Sequence, residues 1–514
     1  MLVKVSSALN LGLNTVGMDV EVNVASRGLP ALEIVGLPTK AVAESKQRVK
    51  TAIVNSDIQF PKKRVVINLA PADIPKEGSF YDLPIAVGII AASSDCQLPK
   101  ESLFFGELSL DGKLRHTKGA LLLALFAKER GIKNIFIPKQ SVNEAAVVKG
   151  INIYPVEDLN QLIFSFYDQD ILKPIKNTKY RGKQVFKKCE FDMSEILGQE
   201  QSKRALEIAA AGAHNLFMTG SPGSGKTMLA QAFSGILPSL TEEESLEVTK
   251  IYSASGLIPP EGSVIKNRPF RSPHHTVSSI GLIGGGSKIK PGEISLAHRG
   301  VLFLDEFNEF PRSALEALRQ PLEDNRITIC RSRGKATFPA QFILLASANP
   351  CPCGYLYHPK KNCICTQREI EKYRKKISGP LLDRIDISIE VPVVDAGDFS
   401  ANQNVNKSLE SSEAIRKRVL KARRIQNERL RHENIYTNAE MGNSQIKKYC
   451  FLSDQVERIL IQATAKFCLS ARAYFKTIKI ARTIADLDSS ENIEVVHMAE
   501  ALQYRYRKSE TNIF

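Results

Sequence analysis

Residues Gly220-Ser221-Pro222-Gly223-Ser224-Gly225-Lys226-Thr227 combine glycines, an ammonium and a hydroxyl within eight positions. Glycines in such a loop let successive backbone N–H groups turn toward phosphate oxygens; Lys226 supplies charge for the β and γ phosphates and Thr227 an oxygen for Mg²⁺. The flanks strengthen the reading, because residues 215–218 read as a short apolar strand entering the loop and 228–236 as a helix leaving it. A triphosphate such as ATP would then sit at a helix N-terminus. Hydrolysis also needs a metal-binding carboxylate and a water-orienting group at the end of a neighbouring buried strand. Residues 301–304 are four apolar residues followed by Asp305 and Glu306, which offer the first role to Asp305 and the second to Glu306. A further apolar strand, residues 342–346, leads to Asn349, whose amide can report on a γ-phosphate.

These residues require a sheet to align them. The chain has 514 residues, enough for about three domains. Residues 1–165 read as one α/β domain, with strands at 19–24, 65–69 and 134–138 and helices at 41–55 and 119–130. A basic, proline-containing connector, 166–190, follows. Over 191–397 strands and helices alternate, which predicts a parallel, doubly wound sheet. From 408 to 514 the β signals fade and charged, apolar-periodic helices take over.

Composition narrows the partners. The chain is 43% hydrophobic and 24% charged, as ordinary globular proteins are. Its longest apolar stretches, 83–92 and 120–127, fall short of the roughly 20 residues that span a bilayer, so no membrane segment is expected. The first 25 residues interrupt their apolar positions with Asn10, Asn14 and Asp19, which argues against a secretory leader and for the cytoplasm. Seventy Lys and Arg against 55 Asp and Glu leave a net charge of +15, so polyanions are the natural partners. Two glycine- or charge-rich turns read as β-hairpins with positive tips, one carrying Lys288 and Lys290 and the other Arg331, Arg333 and Lys335. Such charges contact the DNA backbone without sequence preference. Arg416, Lys417, Arg418, Lys421, Arg423, Arg424, Arg429 and Arg431 crowd one later helix. Tryptophan is absent, so base stacking has little support. Four of nine cysteines, Cys351, Cys353, Cys363 and Cys365, fall in one short segment. In a reducing compartment they favour one tetrahedral Zn²⁺ site over disulfides.

Taken in chain order, the 220–227 loop, Leu304-Asp305-Glu306, Asn349, Leu381-Leu-Asp-Arg384-Ile-Asp386 and Leu469-Ser-Ala-Arg472-Ala-Tyr474 resemble an AAA+ ATPase. More narrowly, Ile196-Leu-Gly-Gln-Glu200, Ser272-Pro-His-His-Thr276, the segment 290–298 and Ala481-Arg-Thr-Ile-Ala-Asp486 are similar to the magnesium-chelatase-like group. The likeness extends over essentially the whole chain. It implies a Lon-protease-like (ribosomal S5 domain 2-like) α/β domain at the N-terminus, an AAA+ core, and a C-terminal helical lid. It further implies that Arg384 is an arginine finger reaching a neighbouring subunit's γ-phosphate, that Arg472 is the lid sensor, and that the subunits form a ring, usually a hexamer, with the hairpins at its pore. An arginine of this kind is worth about 10³ to 10⁵ in rate. In the N-terminal domain Asp82 and Leu121 stand where a Lon-type protease carries its serine and lysine. The resemblance therefore implies a scaffold or DNA-contact role there, with Ser79 and Lys76 or Lys118 as the substitute dyad to test. The resulting expectation is an ATP-driven ring helicase that promotes branch migration of incoming DNA during natural transformation, with recombination proteins as further partners. The rival readings are a chelatase-type metal-insertion motor, an ATP-dependent protease and a nucleotide-gated DNA-binding factor.

Overall fold

The computed structural model describes residues 2–25, 27, 29–36, 40–72, 76, 78–94, 96–168, 170–175, 190–258, 264–286, 289–331, 334–356, 358–393, 410–433 and 435–505. Most of the basic connector, and with it residues 176–189, lies outside them.

Strands Leu216–Thr219, Val301–Leu304 and Ile343–Ala348 are apolar without alternation and buried almost throughout, as strands covered by helices on both faces must be. They pair in parallel, Leu216 opposite Leu345 and Leu302 opposite Leu344. With Phe270–Arg271 and Ile387–Glu390 they form one five-stranded parallel sheet. From edge to edge its order is Phe270–Arg271, Val301–Leu304, Ile343–Ala348, Leu216–Thr219, Ile387–Glu390. The strand that comes first in sequence therefore lies beside the fourth. That order brings Thr219, Leu304 and Ala348 together at the carboxyl edge, where open α/β sheets bind ligands.

Helices Ser412–Leu430 and Ala471–Leu487 pack on Glu200–Gly212, and Ser412–Leu430 also on Lys226–Ile236. Leu206, Phe233, Val419 and Ile484 belong to one continuous apolar core. Asp386 adds a polar tie between the two parts. It accepts the Asn215 backbone N–H at 2.9 Å and Lys476 Nζ at 2.7 Å, with the His214 ring 3.6 Å away. Burial opposes its ionisation, but Lys476 and His214 outweigh that and hold the carboxyl well below the usual carboxylate range. Several arginines that read as a basic helix face turn inward: Arg423 donates to the Ala210 carbonyl at 2.8 Å and Arg429 to Asp486 at 2.5 and 2.9 Å, while Arg418 is held by Glu207 and Glu410. Arg416, Lys417, Lys421, Arg424 and Arg431 remain exposed.

The N-terminal part sets a four-stranded sheet, ordered Leu2–Leu11, Asn14–Val24, Arg64–Ala70, Ala31–Val35, near a parallel three-stranded sheet of Ser102–Phe104, Asn134–Pro138 and Asn152–Val156. The apolar stretch 83–92 becomes the helix Asp82–Ser93, buried on every side from Asp82 to Ala92, as an all-round apolar helix requires. Among the described residues no helix is long and apolar enough to cross a membrane.

Asp386→Ala leaves Lys476 charged inside the joint, so it should lower the apparent stability by about 3 to 5 kcal/mol. Urea unfolding of the variant beside the parent chain measures this.

Candidate active site

The phosphate loop leaves the sheet in a confined space. A Cβ on Gly220 would stand 2.5 Å from the Val391 carbonyl oxygen. Gly223 and Gly225 differ: each has room for a Cβ but adopts φ of +79° and +90°, a region that side chains disfavour. Within the loop the Ser224 hydroxyl is buried without a partner among the described residues. Lys226 opens the following helix, and its Nζ folds back to donate to the Gly220 and Ser221 carbonyls at 2.7 and 2.9 Å, with Asn349 Oδ1 at 3.4 Å. Burial pulls its pKa below the ordinary lysine value, while Asp305 and Glu306 push the other way. A bound polyanion would reinforce the charged form.

Thr227 Oγ1 donates to Asp305 Oδ2 at 2.7 Å. The other oxygen, Oδ1, accepts the Ser347 hydroxyl and, at 3.0 Å, the Glu306 backbone N–H. Thr227 and Asp305 thus present hard oxygen donors side by side, the donor set that Mg²⁺ takes. Together with the open glycine cradle and the unpartnered Ser224 hydroxyl, these residues fit Mg²⁺ and a triphosphate. Glu306 has φ 53° and ψ 46°, a left-handed conformation that costs about 1 to 2 kcal/mol for a residue other than glycine. Its carboxylate is half exposed and lies 3.4 Å from His275 Nδ1. The loop, Asp305, Glu306 and Asn349, all expected to act together, are therefore neighbours at one sheet edge.

Arg384 and Arg472 stand apart from that group. Arg384 Nη2 donates to Glu323 Oε2 and its Nη1 to the Pro380 carbonyl at 2.7 Å, while Arg472 Nη2 donates to Glu323 Oε1 at 2.5 Å. Both guanidiniums hold the Glu323 carboxyl below its ordinary value, Arg384 more strongly. They line a cavity of about 600 Å³ shared with Arg268, Arg299, Arg423 and Lys476. Asp386, two residues beyond Arg384, is taken by Lys476 instead.

The four clustered cysteines converge. Cys351 Sγ lies 3.4 Å from Cys353 Sγ and 3.7 Å from Cys363 Sγ, and the last two are 3.5 Å apart. All four sulfurs, Cys365 included, fall within 4.8 Å of one another. The Tyr355 backbone N–H holds the Cys353 thiol below its ordinary pKa.

Of the two basic turns, the second forms the antiparallel hairpin Arg326–Arg331 and Gly334–Pro339, with Arg331 and Lys335 exposed near its tip. The first is paired at its base, where Gly284 bridges Pro291 in antiparallel fashion and the Gly285 N–H donates to the Lys290 carbonyl at 2.8 Å, while Gly284, Gly285 and Gly286 take φ of +104°, +107° and +96°; residues 287 and 288 at its tip lie outside the described residues. Lys290 is exposed on it; Lys288 and Arg333 lie outside the described residues. A Cβ on Gly285 would come within 3.8 Å of Arg331 Nη2, so loop and hairpin are neighbours. On the hairpin's second strand, Gly12 from the N-terminal sheet approaches Ala336 and Phe338.

In the N-terminal part Asp82 is fully buried and clamped by Arg48 Nε at 2.6 Å. Ser79 donates to Glu107 and Lys76 to the Pro71 carbonyl, so these hydrogen bonds do not join the two as a dyad. Leu121 gives its backbone N–H to Glu144 at 3.1 Å. Sequence reasoning passed over Ser347, His275 and Glu323. Ser347 was visible just before Asn349 and His275 in the His274-His275 pair, but Glu323 carries no local signal.

The sheet order and the phosphate-loop geometry define a P-loop nucleotide-binding protein of the AAA+ type. Family models described as magnesium chelatase subunit ChlI match residues 192–399, subunit ChlI of Mg-chelatase 20–141, and the ChlI C-terminal region 409–505. The chain is 43% identical to competence protein ComM of Haemophilus influenzae, over 98% of this chain and 97% of the relative. It is 42% identical to YifB of Escherichia coli over 96% and 95% respectively. A shorter match, 27% over 31% of this chain and 50% of the relative, is to the magnesium-chelatase 38 kDa subunit of Rhodobacter capsulatus. The chain belongs to the magnesium-chelatase-like family of ComM and YifB.

Gly220→Ala drives a methyl into the Val391 carbonyl and must displace the loop. Binding of a fluorescent ATP analogue should weaken at least tenfold, about 1.4 kcal/mol, and fluorescence titration reads it.

Proposed function

We propose that the chain is the subunit of an ATP-hydrolysing ring motor that acts on DNA. One observation carries this reading: the catalytic set is split. Cradle, Asp305, Glu306 and Asn349 meet at the sheet edge, whereas Arg384 and Arg472 are gathered on Glu323. A cradle without an arginine is half a phosphoryl-transfer centre, and a second copy in a closed ring supplies the other half. In that assembly Thr227 and Asp305 hold Mg²⁺, Lys226 and the loop N–H groups hold the phosphates, and Glu306 orients the attacking water. Mg²⁺, when bound, draws negative charge from the phosphate oxygens. Asn349 senses the γ-phosphate, and Arg384 of one copy, with Arg472 beside it, stabilises charge developing in the next. Six copies would make the usual ring. The cofactors are ATP, Mg²⁺ and, for the four thiols, Zn²⁺.

DNA as the track is supported by the net charge of +15 and by the adjacent basic loop and hairpin, with Lys288, Lys290, Arg331, Arg333 and Lys335 as backbone contacts. The finer reading, a cytoplasmic helicase that promotes branch migration during recombination in natural transformation, rests on the likeness to a competence protein. On it, residues 1–165 are a non-catalytic Lon-protease-like domain, 166–190 a linker, 191–397 the AAA+ core and 408–514 the helical lid. The clamped Asp82 supports the absence of protease chemistry. A second reading, a chelatase-type motor, is favoured by the family-model descriptions; stimulation of the ATPase by DNA separates the two.

Glu306→Gln should retain ATP binding and lose at least about 10²-fold in turnover, and Arg384→Ala about 10³-fold. Mixed together, the two inactive variants should recover part of the activity, because one lends an intact cradle and the other an intact arginine. A mixture that co-assembles yet stays inactive rejects the split centre. On forked or four-way DNA, Arg331→Ala with Lys335→Ala should lower the log–log salt slope of binding by about 2, as titrations at several salt concentrations would show.

A further inference from the structure

We propose that the Cys351, Cys353, Cys363 and Cys365 thiols close on one Zn²⁺ ion, and that this centre braces the phosphate loop so that zinc and nucleotide bind cooperatively. The metal site stands on the cluster alone; its coupling to nucleotide rests on the function proposed above.

Geometry and donor type narrow the ion to one that takes four sulfurs in a tetrahedron. Zinc–sulfur bonds of about 2.3 Å in a tetrahedron set sulfur atoms about 3.8 Å apart, and three pairs here lie at 3.4, 3.5 and 3.7 Å. A disulfide needs about 2.05 Å, so none of these pairs is bonded. An iron–sulfur cluster spreads its thiolates around several iron atoms, wider than this spacing. Four soft sulfurs without an oxygen ligand disfavour Mg²⁺ and Ca²⁺. The surroundings are those of thiolate ligands: the Cys353 backbone N–H donates to Cys365 Sγ and the Leu356 N–H to Cys351 Sγ, both at 3.3 Å. Backbone donors of this kind orient metal ligands and stabilise their charge. The segment needs such a knot. Among the described residues between Cys351 and Cys365 there is no helix or strand, and Ile364, one of the few large apolar residues there, is 85% exposed.

The same loop touches the nucleotide site from two directions. Gly354 closes the turn that starts at Cys351, its N–H donating to the Cys351 carbonyl at 3.0 Å. It has φ +81°, and a Cβ on it would lie 2.6 Å from Pro222 of the phosphate loop. Immediately after Cys365 the helix Gln367–Arg374 starts on a capping box between Thr366 and Glu369. Its Tyr373 carbonyl accepts Asn308 Nδ2 at 2.9 Å, and Lys376 just beyond pairs with Glu309 at 3.3 Å. Asn308 and Glu309 lie in the turn that follows Glu306. One end of the thiol loop thus backs the cradle, and the other is tied to the turn carrying the water-orienting carboxylate. Fixing four sulfurs on one ion removes slack from both contacts.

The test uses the full chain. Elemental analysis of protein purified without chelator should find about one zinc per chain. Removing zinc with a thiol-competing chelator, exchanging the chelator away and restoring Mg²⁺ should weaken a fluorescent ATP analogue about tenfold, within the range of coupled sites. Zinc re-addition should restore it. Cys363→Ser with Cys365→Ser should lose the metal and show the same weakening. Should that variant fail to fold, the removal and re-addition cycle on the parent chain still decides. Lys226→Ala should lose nucleotide and keep zinc. Iron in place of zinc, or thiols without metal, overturns the site. Zinc at full occupancy whose removal leaves nucleotide affinity unchanged overturns the brace. Zinc with the expected coupling in a chain that hydrolyses no ATP upholds this inference and removes the motor reading instead.

Discussion

Asp305 is held from two neighbouring strand ends at once, by Thr227 beyond one and Ser347 within the other. That is possible only because the sheet sets Leu216–Thr219 and Val301–Leu304 on either side of Ile343–Ala348. With another strand order the loop, the acidic pair and Asn349 would sit at separate edges. The hydrogen bonds around Asp305 turn a topological fact into a chemical one: they hold hard oxygen donors side by side, the set a divalent cation takes. Glu306 joins that network only through its backbone N–H; its carboxylate stays half exposed beside His275.

Much of this edge was legible in the sequence, because it is written in short local patterns. The glycine loop, the apolar run before Asp305 and the strand before Asn349 each have their own composition, and the observed elements start or end within one or two residues of the expected positions. The strand after Phe342 runs on through Ala348 and so takes in Ser347. What the sequence hid was either non-local or turned on backbone freedom. Glu323 comes from a helix far in sequence from both arginines it binds. The glycine run 284–286 takes three successive positive φ values, a backbone freedom that composition hints at but spacing does not specify. The crowded basic helix looked like one charged face, yet Arg418, Arg423 and Arg429 point to partners on other helices, which no spacing rule reveals.

Glu323 is itself informative. Two guanidiniums on one exposed carboxylate form a compact arrangement with donors left over, and the adjoining cavity carries further cations. The pairing gathers both arginines at one cavity, although one comes from the sheet region and the other from the helical region.

The apolar core that runs unbroken from Leu206 and Phe233 into Val419 and Ile484 limits how this molecule can change shape. Prising the helices from the sheet would wet that core and strand the charge on Lys476, so the two parts move as one rigid body. In the ring proposed above, flexion would then fall at the seams between copies, and Arg384 and Arg472, fixed to one rigid body, would travel together as such a seam opened or shut.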